Sequence, residues 1–341
     1  MTQPRRYLAA AALVTLLTLS ACGDGGGAPR EVAAPDNLES AAKEEGTVTL
    51  YSSVEEEATA AFAKSFTDRY GIKVEVVRLT SAQLAQRFSA EAQAGAPAAD
   101  ALLISRTGFT TEAITNGWLV PLADAGLPDF PGGLDPRFVL PDEGTAISII
   151  QPAGMAYNTD LVPANEAPKT WEDLLDPKWR GKIAIPDPAS SASYIGEWLV
   201  VAEASGPDFL ERFGAQDLKK YASGVPAAAA VAAGEAAFCV MGLGSHIADP
   251  KEKGAPIEFV APELTSGAEV VPGVAANGRN PNAARLLVQY ALSKEGSVTL
   301  ADAAGAVSPY DTGKLPGQYV SPDLAGAGTQ QASVLARLGL S

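Results

Sequence analysis

Residues 48–79 read VTLYSSVEEEATAAFAKSFTDRYGIKVEVVRL. Val48 to Tyr51 is a short β-rich run. Ala58, Ala61, Phe62, Ser65 and Phe66 then recur at helical spacing across Glu55 to Tyr70, and Gly71 supplies the stop. Lys73 to Leu79 is β-rich again, so the stretch is a βαβ unit with its two strands in parallel. The rhythm continues outward. Further strands are expected at Ala101 to Ile104, Ile147 to Ile150, Lys182 to Ile185, Phe238 to Met241, Glu258 to Ala261 and Val270 to Ala276. Helices are expected over Ser81 to Ala94, from Thr170-Trp171-Glu172-Asp173, over Tyr194 to Ala204 and over Pro281 to Leu292. This alternation predicts an α/β protein with largely parallel sheets. Gly126 to Gly144, dense in Pro and Gly, is the longest irregular segment.

The N-terminus is of another kind. Arg5 and Arg6, an apolar run from Leu8 to Leu19, and Leu19-Ser20-Ala21-Cys22 read as a signal peptide over residues 1–21. The run is shorter than the ~20 residues a bilayer-spanning helix needs. The tetrapeptide resembles the bacterial lipobox, which implies acylation of Cys22 and a membrane tether followed by a flexible linker over 22–39. About 320 residues remain, a prior for two domains. The net charge is −15, and losing Arg5 and Arg6 with the export segment takes it to −17. Nucleic acid is a poor partner for that field. One histidine and two cysteines leave almost no stock for a His/Cys metal site. Cys239, in the apolar run Ala236 to Met241, reads as a core residue.

Open α/β sheets bind ligands where strands end and helices begin. Three such ends carry polar groups: Ser52, Ser53 and Glu55; Ser105 and Arg106; and the turn Asp187 to Tyr194 with Ser190, Ser191, Ala192 and Ser193. Hydroxyls and free amides at a helix N-terminus suit a phosphate or carboxylate, whereas plain N-capping explains the same serines. Arg106 fits either an anion clamp or a salt bridge.

Several strings together resemble a known family. They are Gly46 to Ser53 with Tyr70-Gly71-Ile72-Lys73-Val74, Ala98 to Leu103, Asn116 to Leu122, Tyr157 to Val162, Pro168 to Lys182, and Leu292 to Gly296. The chain resembles bacterial ABC-transporter substrate-binding proteins of the ferric-iron-binding type, with the type II periplasmic-binding-protein fold. The resemblance implies two α/β lobes, mostly parallel sheets and interlobe crossing strands. It also implies a monomer that closes on a small-molecule solute and delivers it to an ABC permease in the membrane.

The iron-binding members hold metal with adjacent tyrosines, and Leu243 and Gly244 stand near those positions here. Glu55 stands near the family's histidine and Ser105 near its acid, so the resemblance implies loss of the usual iron ligands, and no metal is assigned. The segment matching Ser190 to Ser193 binds an anion in the family, and Ser223 matches a polar position facing it. With Gly242 and Gly244 in place of phenols, and Arg106 added, the expected cleft is wide and locally cationic. It would take a phosphonate, phosphate ester, carboxylate or zwitterion, with Glu55 meeting any amine. Tyr194 and Tyr221 are possible walls, and His246 is expected at the lobe surface or hinge.

Two alternatives stand beside this. One is ferric iron held with a synergistic anion and Glu55. The other is an exported hydrolase, for which His246 is the sole imidazole and no Gly-x-Ser-x-Gly occurs. The expectation is therefore no enzyme, no cofactor, and a receptor anchored to the outer face of the cytoplasmic membrane. Lobe 1 is expected over 40–148 and 266–303, lobe 2 over 149–265 and 304–341.

Overall fold

The computed structural model describes residues 37–340. The signal peptide, Cys22 and most of the expected linker lie outside the described residues. At the linker's end, Asn37 accepts a hydrogen bond from Ser40 N at 2.9 Å and caps a helix from Leu38, so the folded body starts before residue 40.

The first elements are α1 (Leu38–Glu45), β1 (Thr47–Ser52), α2 (Glu56–Tyr70), β2 (Lys73–Arg78), α3 (Ser81–Gln93), β3 (Ala101–Ser105), α4 (Gly108–Thr115) and β4 (Leu119–Val120). A small hairpin, β5 (Val139–Leu140) and β6 (Thr145–Ala146), precedes the long β7 (Ile149–Asn158). Next come β8 (Ile183–Pro186), α5 (Ala192–Ser205), α6 (Phe209–Gly214), β9 (Lys219–Tyr221), α7 (Gly224–Ala232), β10 (Phe238–Leu243), α8 (Ser245–Glu252) and β11 (Ile257–Val260). The chain ends through β12 (Leu264–Thr265), β13 (Gly267–Ala275), α9 (Pro281–Leu292), α10 (Lys294–Ala303), β14 (Gln318–Tyr319) and α11 (Leu324–Arg337).

The main sheet runs β2-β1-β3-β13-β7-β10-β8-β9. At one end β1 pairs with β2 and β3 in parallel, and at the other β8 pairs with β10 and β9 in parallel. Between them β13 and β7 run antiparallel to their neighbours and to each other, β13 pairing with β3 at one end and β7 with β10 at the other. These are the crossing strands of a two-lobed α/β fold. One apolar core draws on residues 38–150 and 270–304, a second on residues 153–243 and 327–338. Cys239 is wholly buried, and desolvation pushes its thiol up to about 12, which removes it from nucleophilic chemistry.

Two elements depart from the sequence reading. Strand β7 continues to Asn158 through Pro152 and Gly154, residues that argue against a strand. At Gly154 a Cβ would stand 2.3 Å from Val260 O, so the glycine is required by the close approach of β11. The helix expected from Thr170 is only a 3-10 turn, Glu172–Leu175, because Asp176-Pro177 follows at once.

Candidate functional site

Because β1 and β3 are parallel, the segments that follow them, Ser53 to Glu55 and Arg106 to Thr107, leave one edge of lobe 1. The segments after β8, β9 and β10 leave one edge of lobe 2 in the same way. Gln151 on β7 stands between the two. Its Nε2 donates at 3.5 Å to Glu55 Oε1 and at 3.4 Å to Ser245 Oγ, so the two edges meet over the crossing strands.

On the lobe 1 edge, Ser52 and Ser53 are bonded inward. Ser52 is wholly buried, its Oγ 2.9 Å from Thr59 Oγ1 and accepting from Val54 N at 3.2 Å, so it shapes the start of α2 and faces no solute. Ser53 Oγ accepts from Ser105 N at 3.0 Å, lacing β1 to β3. Glu55 is half-buried, with Oε2 unpartnered.

Arg106 is the main correction. Its side chain is 10% exposed and donates from Nε to Glu143 Oε2 at 2.8 Å, from Nη2 to Glu143 Oε1, and from Nη1 to Glu269 Oε2 at 2.7 Å. Burial alone would loosen its proton, but the two carboxylates outweigh that and raise its pKa. The guanidinium is an internal counter-ion rather than a free clamp, and two carboxylates surround one cation. Arg106 therefore supplies no free positive charge to the cleft. On Glu269 the second oxygen accepts from Tyr319 Oη at 3.0 Å and Ser321 Oγ at 2.5 Å, which ties the C-terminal arm into the same cluster.

The lobe 2 edge is less occupied. Asp187 N donates to Tyr221 O at 2.7 Å, which holds the turns after β8 and β9 together, so the starts of α5 and α7 lie side by side. Ser191 is the N-cap of α5 and accepts from Ser193 N at 3.2 Å. Ser190 is exposed and donates to Asp187 O at 2.7 Å; Ala192 is half-buried. Ser193 is buried and donates to Glu197 Oε1 at 2.9 Å. Ser223, at the start of α7, is exposed and makes no capping bond. Capping thus accounts for the side chain of Ser191 and the bond to Glu197 for that of Ser193, while Ser190 and Ser223 lie toward solvent. Tyr194 is half-buried and reaches the backbone of Gly224, while Tyr221 turns toward Glu235.

At the end of β10 the register shifts between Val240 and Gly242, and Met241 takes a left-handed φ of 56°. Such a bulge re-aims the residues after it. Gly242 is buried opposite Gly154. A Cβ on Gly244 would meet nothing closer than Gly305 O at 3.8 Å; this glycine borders a cavity of about 380 Å³ with Gln151, Phe259 and Lys314. His246 Nδ1 accepts from Leu243 N at 3.1 Å, and its ring covers Gly224, where a Cβ would stand 2.1 Å from Cε1. Desolvation, opposed by Glu55, lowers its pKa to about 4, so the imidazole is neutral. Gln151, Ser245, Glu143 and Glu269 escaped the sequence reading. Only Gln151 left a local signal, as the one polar side chain within Ile147 to Ala153 besides Ser148.

Residues 46–298 match the bacterial extracellular solute-binding proteins, and the chain belongs to that family. An uncharacterized protein of Haemophilus influenzae is 27% identical over 270 residues, 75% of each chain. Among solved structures, the periplasmic binding protein AfuA of Actinobacillus pleuropneumoniae, with exogenous fructose-6-phosphate bound, is 26% identical. That match has a TM-score of 0.65 and covers 87% of this chain and all of AfuA. Iron-bound HitA of Pseudomonas aeruginosa is 20% identical with a TM-score of 0.69, over 86% of this chain and 99% of HitA. The fold is that of two-lobed periplasmic binding proteins, and the chain is a solute-binding receptor of the ABC-transporter type.

Proposed function

We propose that the solute is a small organic anion carrying hydroxyl or amine groups at its far end, a phosphate ester being the leading class. The observation that carries this is the pair of adjacent helix starts at the lobe 2 edge, α5 and α7, with Ser190 and Ser223 exposed beside them. Helix-start amides and serine hydroxyls favour an anionic oxygen. The opposite edge favours the other end of such a solute, since Glu55 has an open oxygen and Gln151 and Ser245 stand beside it. Arg106, held by two carboxylates, takes no part in the contact. The likeness to AfuA, whose structure holds fructose-6-phosphate, supports the same class. Binding proceeds by lobe closure, the solute stabilising the state in which the two edges meet. The receptor acts as a monomer, performs no catalysis and passes its solute to a membrane permease.

A thermal-shift screen of residues 23–341 against sugar phosphates, phosphonates, carboxylates, polyamines and ferric salts tests the reading. Ala192→Pro removes one amide at the first position of α5, where proline fits the helix. Stabilisation by a phosphate ester that Ala192→Pro weakens supports the proposal. Stabilisation by ferric salts or polyamines alone overturns it. We also propose that Cys22 is acylated, which palmitate labelling lost in Cys22→Ala would support.

A further inference from the structure

Glu197 lies one turn inside α5, beneath the serine turn, and is 1% exposed. One oxygen accepts from Ser193 Oγ; the other has no partner among the described residues. The groups facing it from the elements packed on α5 are acidic or phenolic. They are Glu269 on β13, Tyr319 on β14 and Tyr194 on α5 itself. From α11, the cap residue Asp323 lies against Gly196 and accepts from Gly326 N, and β12 carries no titratable side chain. From α6, Glu211 is held by Arg337, and in the turn before α5, Asp187 is held by Lys220. The cluster's cation, Arg106, is held by Glu143 and Glu269. No basic group among the described residues bonds Glu197. A carboxylate removed from water, with no cation and one empty oxygen, is far costlier than a carboxylic acid in the same place.

We infer that anion capture at the Ser190 to Ser193 turn is coupled to a proton held on Glu197, so that the solute binds together with the proton and leaves when it is lost. The inference rests on the anion reading of that turn. An ionised Glu197 places a second negative charge beside Glu269, one turn behind the α5 amides, and offsets the positive end of the helix. By reciprocity, an anion on the turn tightens the hold on the proton. Burial, opposed by the Ser193 hydroxyl and reinforced by Glu269, pushes Glu197 up to about 8. The coupling therefore operates near neutral pH.

Glu197→Gln keeps the shape and the acceptor for Ser193 but cannot ionise. Affinities of wild type and variant for fructose-6-phosphate and for inorganic phosphate, compared at each pH, cancel the titration of the probes themselves. The expected ratio is near one at pH 6.5, with the variant binding about tenfold more tightly at pH 9. The proton has a readout without solute. Because the folded value exceeds the unfolded one, wild type loses stability as pH rises to about 8 and then levels off, so its melting temperature falls from pH 6.5 to 8 while the variant's does not. If Glu197→Gln does not fold, Ser193→Ala removes the opposing donor and shifts the wild-type midpoint to higher pH. Identical pH profiles of binding in both proteins overturn the coupling and leave the anion reading standing. No binding of either probe overturns both, and the melting comparison then still reports where the proton sits.

Discussion

The two lobes present the same kind of edge, the carboxyl ends of parallel strands, and use their polar residues in opposite ways. On lobe 1, Ser52, Ser53 and Arg106 are bonded inward, and Arg106 is shared by Glu143 and Glu269. On lobe 2, Ser190 and Ser223 remain exposed at two neighbouring helix starts. Polar residues at a strand end thus mark where a cleft lies, but which of them can meet a solute depends on whether the protein has already satisfied them. On the proposed reading, lobe 1 supplies fixed shape and negative charge, and lobe 2 supplies the anion's donors.

This contrast breaks most readily at Arg106. Arg106→Ala leaves two carboxylates without their cation at a site 10% exposed, and should cost about 3–5 kcal/mol in urea unfolding. A loss below about 1 kcal/mol would show that the lobe 1 edge is not held by this cluster. Acid comes next. His246 has a folded value of about 4, below its unfolded 6.5, so its contribution is present above pH 6.5 and is withdrawn as pH falls toward 4. The slope is at most about 1.4 kcal/mol per pH unit, and His246→Gln should flatten it in pH-dependent melting. Glu197 acts with the opposite sign between its unfolded value of 4.5 and about 8, so above pH 6.5 only the Glu197 slope remains.

Smaller effects sharpen the lobe 2 side. Ser191→Ala removes the cap of α5 and should cost about 1 kcal/mol in stability, measured by the same unfolding curves. Ser223→Ala should leave stability within about 0.5 kcal/mol, since the side chain is exposed and caps nothing. Calorimetry with the phosphate ester found by screening should nevertheless show roughly 3- to 10-fold weaker binding, the worth of one hydrogen bond. Equal affinity would remove Ser223 from the site.

Much of the fold could be read along the chain. The βαβ unit from Thr47 to Arg78 and helix α9 from Pro281 to Leu292 appear where apolar spacing, Gly71 and Pro281 put them. The serine turn was legible as a helix start, and the structure adds that Ser191 is the cap. The crossing strand β7 was only half legible, because Pro152 and Gly154 obscure a strand whose partners, β13 and β10, come from distant segments.

By itself, the sequence determined the α/β alternation, the family, the shortage of histidine and cysteine, and the places where strands give way to helices. All of these rest on local spacing and composition. Tertiary structure alone decided which polar residues are free. Glu143 lies 37 residues from Arg106 and Glu269 lies 163 residues from it, and no periodicity encodes a pairing made only when two lobes and a crossing strand converge. It also decided that Glu197, an ordinary acid in a helix, is buried with no basic partner among the described residues, which favours its neutral form.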